Sequence, residues 1–450
     1  MFKALLLRNF KWVYRSSVWT RRRFTQTGRF LLGVLVFSGA LGLDARINIV
    51  HQIFALCLTA LLLAMVWALW FRGRFAMRRI LPRYATLGEV MQYEIELTNL
   101  SLRSEKGLHL IDQLALNYPS VDEFFHSHEP GEKRRNWFDR KVGYPRWAWL
   151  MGVRAGALEP EVAVDRLLPG DPQRIVLELT PLRRGWLHFS RLHIGRDDPL
   201  GLFRAHKLLD QSDRLLVLPR RFPIPHIDLP GGHRYQRGGV SLASHVGESE
   251  EFVGLRDYRP GDPLRKIHWK GFAKTGRPII REYQDEYFVR HALVLDTFGV
   301  GEGNVLEAAV SVAASFAARL DSRESLLDLL FFAQEVHLVT AGRGVAGNDF
   351  LLEALACVSP CVDGDFATLS DSVVERTAGL SGCICILLDW DKPRREMIRR
   401  LEQAGVPALV LVISSGDDGE EVLEPGPMVA HPERLRTVHP EHIARDLRRL

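Results

Sequence analysis

Catalytic motifs are what this sequence most plainly lacks. Its 450 residues contain no Walker-A loop and no Gly-x-Ser-x-Gly elbow, and none of the sixteen histidines stands in a His-Glu-x-x-His arrangement. No group of residues combines nucleophile, base and orienting partner. No catalytic residue is therefore assigned, and the chain is read as a non-enzyme. Cysteine is also sparse, at five residues: Cys57, Cys357, Cys361, Cys383 and Cys385. That number and those gaps exclude a disulfide scaffold and match no common zinc ribbon or finger. They read as small hydrophobes in a reducing compartment.

Acid is missing from one end. The first 83 residues hold fourteen Lys/Arg and a single carboxylate, Asp44, a net of +13. The remainder holds 45 bases and 53 acids, a net of −8, so the overall +5 is the difference between a basic head and an acidic body. The mean charge describes neither part, and no nucleic-acid partner is expected from it.

Within the basic head, residues 47–71 carry no formal charge. A bilayer-spanning helix needs about 20 such residues. Trp67, Trp70 and Phe71 close the run, as befits the interfacial belt. A shorter apolar run, residues 30–43, reaches spanning length if its helix begins near Phe24 and Arg29 snorkels to the interface. A signal peptide cleaved near Ser38-Gly39-Ala40 is the alternative. The long basic leader and the second apolar run directly downstream argue against it. Basic residues flank the pair of runs on both sides, and the connection between them is nearly neutral. The positive-inside rule then predicts a hairpin with both flanks in the cytoplasm.

Beyond the hairpin the pattern is strand-like. Met91, Tyr93, Ile95 and Leu97 alternate with polar residues at period 2, as do Ile175, Leu177 and Leu179. Gly/Pro/Asp clusters punctuate these runs, which predicts a β-sandwich-like domain with an irregular insertion at residues 118–160. From residue 290 apolar strands alternate with helices, which predicts βαβ units around a mostly parallel sheet buried on both faces. Helices are expected over residues 304–320, 350–357, 370–378 and 394–403, with a last one closing the chain at 440–450. Gly342 and Gly347 bracket a glycine-rich stretch that lacks the Lys-Ser/Thr of a phosphate loop and reads as a strand-to-helix connection.

Between these regions, residues 248–286 hold eight Lys/Arg and eight Asp/Glu. A phosphate-binding surface would be lopsided. Balanced arginines and carboxylates predict instead an ion-pair network, on an apolar floor to which Phe252, Tyr258 and Trp269 contribute. The residues in order are Glu251-Phe252, Arg256-Asp257-Tyr258, Gly261-Asp262, Arg265, Ile267 and Trp269-Lys270. They resemble the signature of the bacterial domain-of-unknown-function family 58: Glu-Phe, then Arg-x-Tyr-x-x-Gly-Asp, then Arg-x-Ile-x-Trp-Lys. His268 departs from the acid usual in that family, and Phe272-Ala273-Lys274 departs at the next step. The stretch Asp198-Pro199-Leu200-Gly201-Leu202-Phe203 also resembles a family segment.

The resemblance implies a multidomain layout: a basic cytoplasmic N-terminus (1–28), two transmembrane helices (29–72), a β-rich domain (80–218), the signature segment (219–289) and a von Willebrand A-like, Rossmann-like α/β domain (290–450). It further implies a multi-pass protein of the inner membrane, with its body in the cytoplasm, acting as an adaptor or assembly factor. The implied partners are a MoxR-type AAA+ ATPase and a transglutaminase-like membrane protein. Von Willebrand A domains often hold Mg²⁺ through Asp-x-Ser-x-Ser after the first strand. Here Asp296 is kept, but Phe298 and Val300 replace both serines. Asp389 and Asp391 are the later carboxylates that would complete a Mg²⁺ site. No other cofactor is implied. A metal-dependent envelope enzyme and a purely structural membrane scaffold are the rival readings.

Overall fold

The computed structural model describes residues 2–41, 48–116, 118–127, 129, 132, 135–154, 156–225, 250–262, 264, 267–285, 289–299, 303–319, 325–342, 347–361, 364–414 and 423–450. Arg265, residues 343–346 of the glycine-rich stretch, and the side chains of Glu251 and Phe252 lie outside the described residues. The chain divides into two compact units, Met1–Arg220 and Arg221–Leu450.

The first unit opens with three helices, α1 (Phe2–Arg23), α2 (Gln26–Leu41) and α3 (Asn48–Leu69). Within α3, Ile49–Leu69 is long and apolar enough to cross a membrane. Within the described residues α2 runs for 16 residues, fewer than the about 20 that span a bilayer. The two pack against each other. α1 is a docked element, where the sequence pattern suggested only a basic leader. Its Leu7, Phe10 and Tyr14, at helical spacing, join a core with Phe124, Trp147, Leu150 and Met151. Those partners come from the expected irregular insertion, which folds as α4 (Val121–His126), α5 (Trp137–Val142) and α6 (Tyr144–Arg154). Ser120 and Glu123 close a reciprocal capping box on α4.

The strands follow the period-2 pattern. β1 (Phe75–Ile80), β3 (Met91–Asn99) and β6 (Pro172–Leu179) form one sheet; β2 (Tyr84–Thr86), β4 (Glu105–Leu114), β5 (Glu161–Leu167), β7 (Gly185–Asp197) and β8 (Arg204–Leu218) form the other. Met91, Tyr93, Ile95 and Leu97 face inward as the alternation predicts, and meet Leu110, Phe189, Ile194 and Val217 of the second sheet. One polar group crosses this core. Arg79 of β1 forks onto Asp112 of β4 at 2.7 and 3.0 Å and reaches Asp213 at 2.8 Å; Tyr93 donates its hydroxyl to Asp112 at 2.8 Å. Burial works against the Arg79 charge, but Asp112 and Asp213 outweigh it and hold its pKa above the ordinary value. Burial and Asp112 together push the Tyr93 hydroxyl up.

The family-like stretch at 198–203 joins helices to sandwich. The buried Asp198 carboxylate accepts the backbone N–H of Leu200, Leu202 and Phe203. The loop so shaped presents Leu202 and Phe203 to Phe24, Leu61 and Ala64. The Thr25 hydroxyl donates to the Gly201 carbonyl at 2.5 Å.

In the second unit six strands line up as β13 (Val336–Ala341), β12 (Ser325–Phe332), β11 (Val289–Leu295), β14 (Gly382–Leu387), β15 (Ala408–Ile413) and β16 (Leu435–Val438). Only β13, at an edge, runs antiparallel to its neighbour. Every residue of β14 and β15 is buried, as the unbroken apolar runs predict. α10 (Phe366–Val374) and α11 (Lys392–Gln403) pack on the face that carries Ala292, Val294, Cys383 and Val410. α8 (Gly303–Arg319), followed by α9 (Asn348–Ala356), lies against β11, β14 and β15. The expected helix at 370–378 starts earlier because Asp365 caps it, and the closing helix is only α12 (Ile443–Leu447). All five cysteines are free thiols. Cys383 and Cys385 share one core face of β14, their sulfurs 3.5 Å apart.

The seat of α2 on the 198–203 loop makes a prediction. A Cβ on Gly28 would land on the Leu202 carbonyl, whereas one on Gly33 would meet open space. Overpacking costs about 1–3 kcal/mol, or about 2–12 °C for a unit of this size. Gly28→Ala is expected to lower the melting temperature of the detergent-solubilised chain by that amount, with Gly33→Ala neutral or slightly stabilising.

Candidate functional site

Two places carry the chemistry to which the sequence pointed. The first is the signature segment. β9 (Glu250–Asp257) pairs antiparallel with β10 (Ile279–Asp285), with a register shift at Glu282/Tyr283. Between them a turn leads to α7 (Trp269–Thr275). The Arg256 guanidinium forks onto Asp262, both contacts at 2.8 Å, and Asp262 also accepts the Arg259 backbone N–H at 2.8 Å. Gly261, with φ of 105°, supplies the left-handed backbone that closes the turn. The hydrogen bond from Arg256, then that from Arg259, hold the Asp262 carboxyl at about 2.

The floor beneath the turn is aliphatic. Ile267 and Ile280 are buried and bridge one another, and the Tyr258 backbone bonds to Pro278. Trp269, expected in that floor, is 64% exposed. The reason lies in α7, a seven-residue helix with no buried residue. Its first position points outward once Ile267, two residues earlier, faces in. Nor is the fork fully buried, with side chains 35% and 17% exposed. A two-strand ribbon offers too little cover to bury such a pair completely.

His268 has a structural task. Its Nδ1 accepts the Gly271 backbone N–H at 3.1 Å and caps α7. An acid is a preferred cap at such a position, so the departure from the family pattern keeps the function of the residue. A Cβ on Gly271 would strike that same Nδ1. With these residues directed inward, Trp269, Lys270, Phe272 and Lys274 form the outward face, the two rings meeting edge-on at 6.2 Å.

The second place is the carboxyl end of the parallel strands. Asp296 follows β11 and has no exposed surface. It accepts the backbone N–H of Phe298 at 2.9 Å and of Leu388 at 3.0 Å, and the Arg394 Nε at 2.7 Å. Arg394 also donates to Asp391 at 2.6 Å and to the Phe298 carbonyl at 2.9 Å, and stacks over the Phe366 ring. Burial opposes its charge, but Asp296 and Asp391 hold its pKa above the ordinary value. Asp391 caps α11, and Asp389 accepts the Trp390 backbone N–H.

The three carboxylates named as Mg²⁺ ligands are thus met by an arginine and by backbone donors. Among the described residues no three His, Cys, Asp or Glu side chains group as a metal site. The positive charge beside Asp296 is a guanidinium of the chain itself. Arg394 was not singled out from sequence. The signal available was Asp391-Lys392-Pro393, a cap followed by Pro in the first turn, which places Arg394 at i+3 from Asp391.

Comparison with known proteins gives a limited match. Residues 254–442 match the family described as "Protein of unknown function DUF58". Part of the chain is 30% identical over 142 residues to the uncharacterized protein YeaD of Bacillus subtilis (strain 168), which covers 31% of this chain and 34% of that relative. The chain thus matches about a third of the relative's length. Among solved structures, the CARDB domain of a Pyrococcus furiosus protein in complex with di-metal ions is 8% identical with a TM-score of 0.17, covering 32% of this chain and 89% of that chain. A β-glucosidase from Listeria innocua is 14% identical with a TM-score of 0.16, covering 32% of this chain and 16% of that chain. Likenesses of this size carry no argument about fold or activity.

Two predictions follow from the geometry. Arg394→Met leaves Asp296 buried without its partner, which costs about 3–5 kcal/mol. Urea unfolding should show that loss, and adding Asp296→Asn should recover part of it. For Asp262, a carboxyl held at about 2 against a usual 3.8 contributes stability that is complete above pH 3.8 and lost as pH falls toward 2. An NMR titration of its carboxyl carbon should find a midpoint near 2, moving up toward 3.8 in Arg256→Ala.

Proposed function

We propose that the protein is a membrane-anchored, non-enzymatic adaptor that acts with a MoxR-type AAA+ ATPase in a cell-envelope or protein-maturation process. In this reading α2 and α3 form a hairpin in the inner membrane, and the sandwich of the first unit and the whole second unit lie in the cytoplasm. A transglutaminase-like membrane protein is a further partner. The second unit is read as von Willebrand A-like. Supporting that reading are the strand order β13-β12-β11-β14-β15-β16, which is the doubly wound order, and the position of Asp296 at the switch between β11 and β14.

One observation carries the adaptor reading: the division of labour within the signature segment. Arg256, Gly261, Asp262, Ile267 and His268 satisfy one another or the backbone. Their neighbours Trp269, Lys270, Phe272 and Lys274 face outward. Paired aromatics beside basic side chains are the residue types that anchor protein interfaces. An acidic, apolar-rimmed surface on the ATPase is the complement they would meet. The ion pair at Asp296 makes a metal-dependent enzyme the weaker alternative, since Arg394 holds the carboxylate such an enzyme would need.

Trp269→Ala/Phe272→Ala should reduce co-purification of the ATPase from membranes at least tenfold, with the melting temperature unchanged. Recovery of no AAA+ ATPase by the wild-type chain, or equal recovery by the variant, would overturn the proposal.

A further inference from the structure

α1 does not seal against the second sheet of the sandwich. Between them lies a cavity of about 510 Å³. Four arginines line it: Arg15, Arg22 and Arg23 from α1, and Arg191 from β7. Among the described residues no carboxylate does. Tyr14, Ser190, His193 and His206 add polar groups to the wall. The acids nearest the wall engage it from outside: Glu159 pairs with Arg22 at 2.5 Å, and Asp210 with Arg191 at 3.2 Å, the latter an exposed pair. A pair of this exposed kind is weak and gives way to a better anion.

The two histidines of the wall are held neutral by burial first and by the neighbouring positive charge second. Burial first, then the charge of Arg22, pushes His193 down to about 3. Burial likewise pushes His206 down to about 4, against a hydrogen bond to the Arg22 carbonyl, with Arg23 and Arg204 adding to the depression. Both rings are neutral at physiological pH. The cavity therefore gathers guanidinium charge whose acidic partners, Glu159 and Asp210, are not part of its wall. Arginine forks match the tetrahedral oxygens of phosphate.

Position adds the second argument. Arg23 is the last residue of α1, and Phe24, next in the chain, packs against Leu61 and Ala64 of α3. The cavity thus adjoins the C-terminal half of the helix long enough to cross a membrane. Exposed Trp12 and Trp19 stand on the same basic helix, a composition that suits a membrane interface.

We infer that this cavity binds a phosphate-bearing anion, with the headgroup of an anionic phospholipid as the source its position favours. The lipid source rests on α3 spanning a bilayer; the anion site itself does not. The test uses the full chain in detergent, titrated separately with a phosphatidylglycerol, a phosphatidylcholine and soluble glycerol phosphate, and read by melting temperature and by binding affinity. Phosphatidylglycerol should raise the melting temperature of the wild type. Arg15→Gln/Arg23→Gln should weaken its binding at least tenfold, and phosphatidylcholine should give no arginine-dependent shift. The same arginine-dependent shift from glycerol phosphate alone would uphold the anion site and make its ligand a soluble phosphate. Equal binding of phosphatidylglycerol to wild type and double variant, with no effect of glycerol phosphate, would overturn the inference. If the double variant melts lower without ligand, Arg191→Gln, on an exposed strand position, replaces it and must show the same loss. A variant lacking basic residues outside the cavity, Arg72→Gln/Arg74→Gln, should bind as the wild type does.

Discussion

Asp112 and Arg79 have no exposed side-chain surface, and neither could be buried alone without a cost of about 3–5 kcal/mol. That demand fixes the sandwich. Arg79 comes from a strand of the smaller sheet, Asp112 and Asp213 come from the larger, and Tyr93 completes the set from β3. A one-residue slip of either strand would turn its charged side chain to the opposite face, so one polar contact specifies the register of two sheets. The second unit uses the same device. Asp296 and Arg394 are 98 residues apart and join the end of the first parallel strand to the start of α11. The signature fork, Arg256 with Asp262, spans only 6 residues and remains partly open to solvent. The same chemistry organises a domain where it is buried and only a turn where it is not.

The strands and helices of both units were largely legible because their burial follows a simple period. Met91 to Leu97 alternates at period 2 and faces one core; β14 and β15 are apolar throughout and lie in the middle of a covered sheet. The insertion was not legible as helix because its helices are short, and α4 and α5 are six residues each. One sign was present, the Ser120-x-x-Glu123 capping box, but it preceded too brief an apolar run to weigh. The docking of α1 was hidden for a different reason. Its apolar stripe of Leu7, Phe10 and Tyr14 is interrupted by arginines, and its partners lie more than a hundred residues away in sequence.

The site divides along the same line. Which residues of the signature segment matter to its shape was readable, since a balanced set of Arg and Asp with a Pro-Gly-Asp turn implies a local fork. Which residues face out was not. Orientation of Trp269 depends on His268 capping a helix of seven residues and on Ile267 and Ile280 closing beneath it. Neither fact has a periodic signature. At the strand ends, the aspartates could be named but their partner could not. A guanidinium reaching Asp296 from 98 residues away leaves no mark on local composition.

Charge arithmetic changes most when placed in space. The fourteen basic residues of the first 83 read as a block oriented by an anionic membrane. The fold withdraws some of them. Arg79 is consumed inside the sandwich and Arg22 is held by Glu159. Arg15, Arg22 and Arg23 line a cavity to which, among the described residues, no carboxylate contributes. Arg72, Arg74 and Arg78 remain beside the end of α3, close enough in sequence to act on its orientation. A positive-inside count made on sequence therefore overstates the charge that faces lipid. What it counts as surplus is in part an internal field that adds to burial in keeping His193 and His206 neutral, and that field selects an anion whether or not the membrane supplies it.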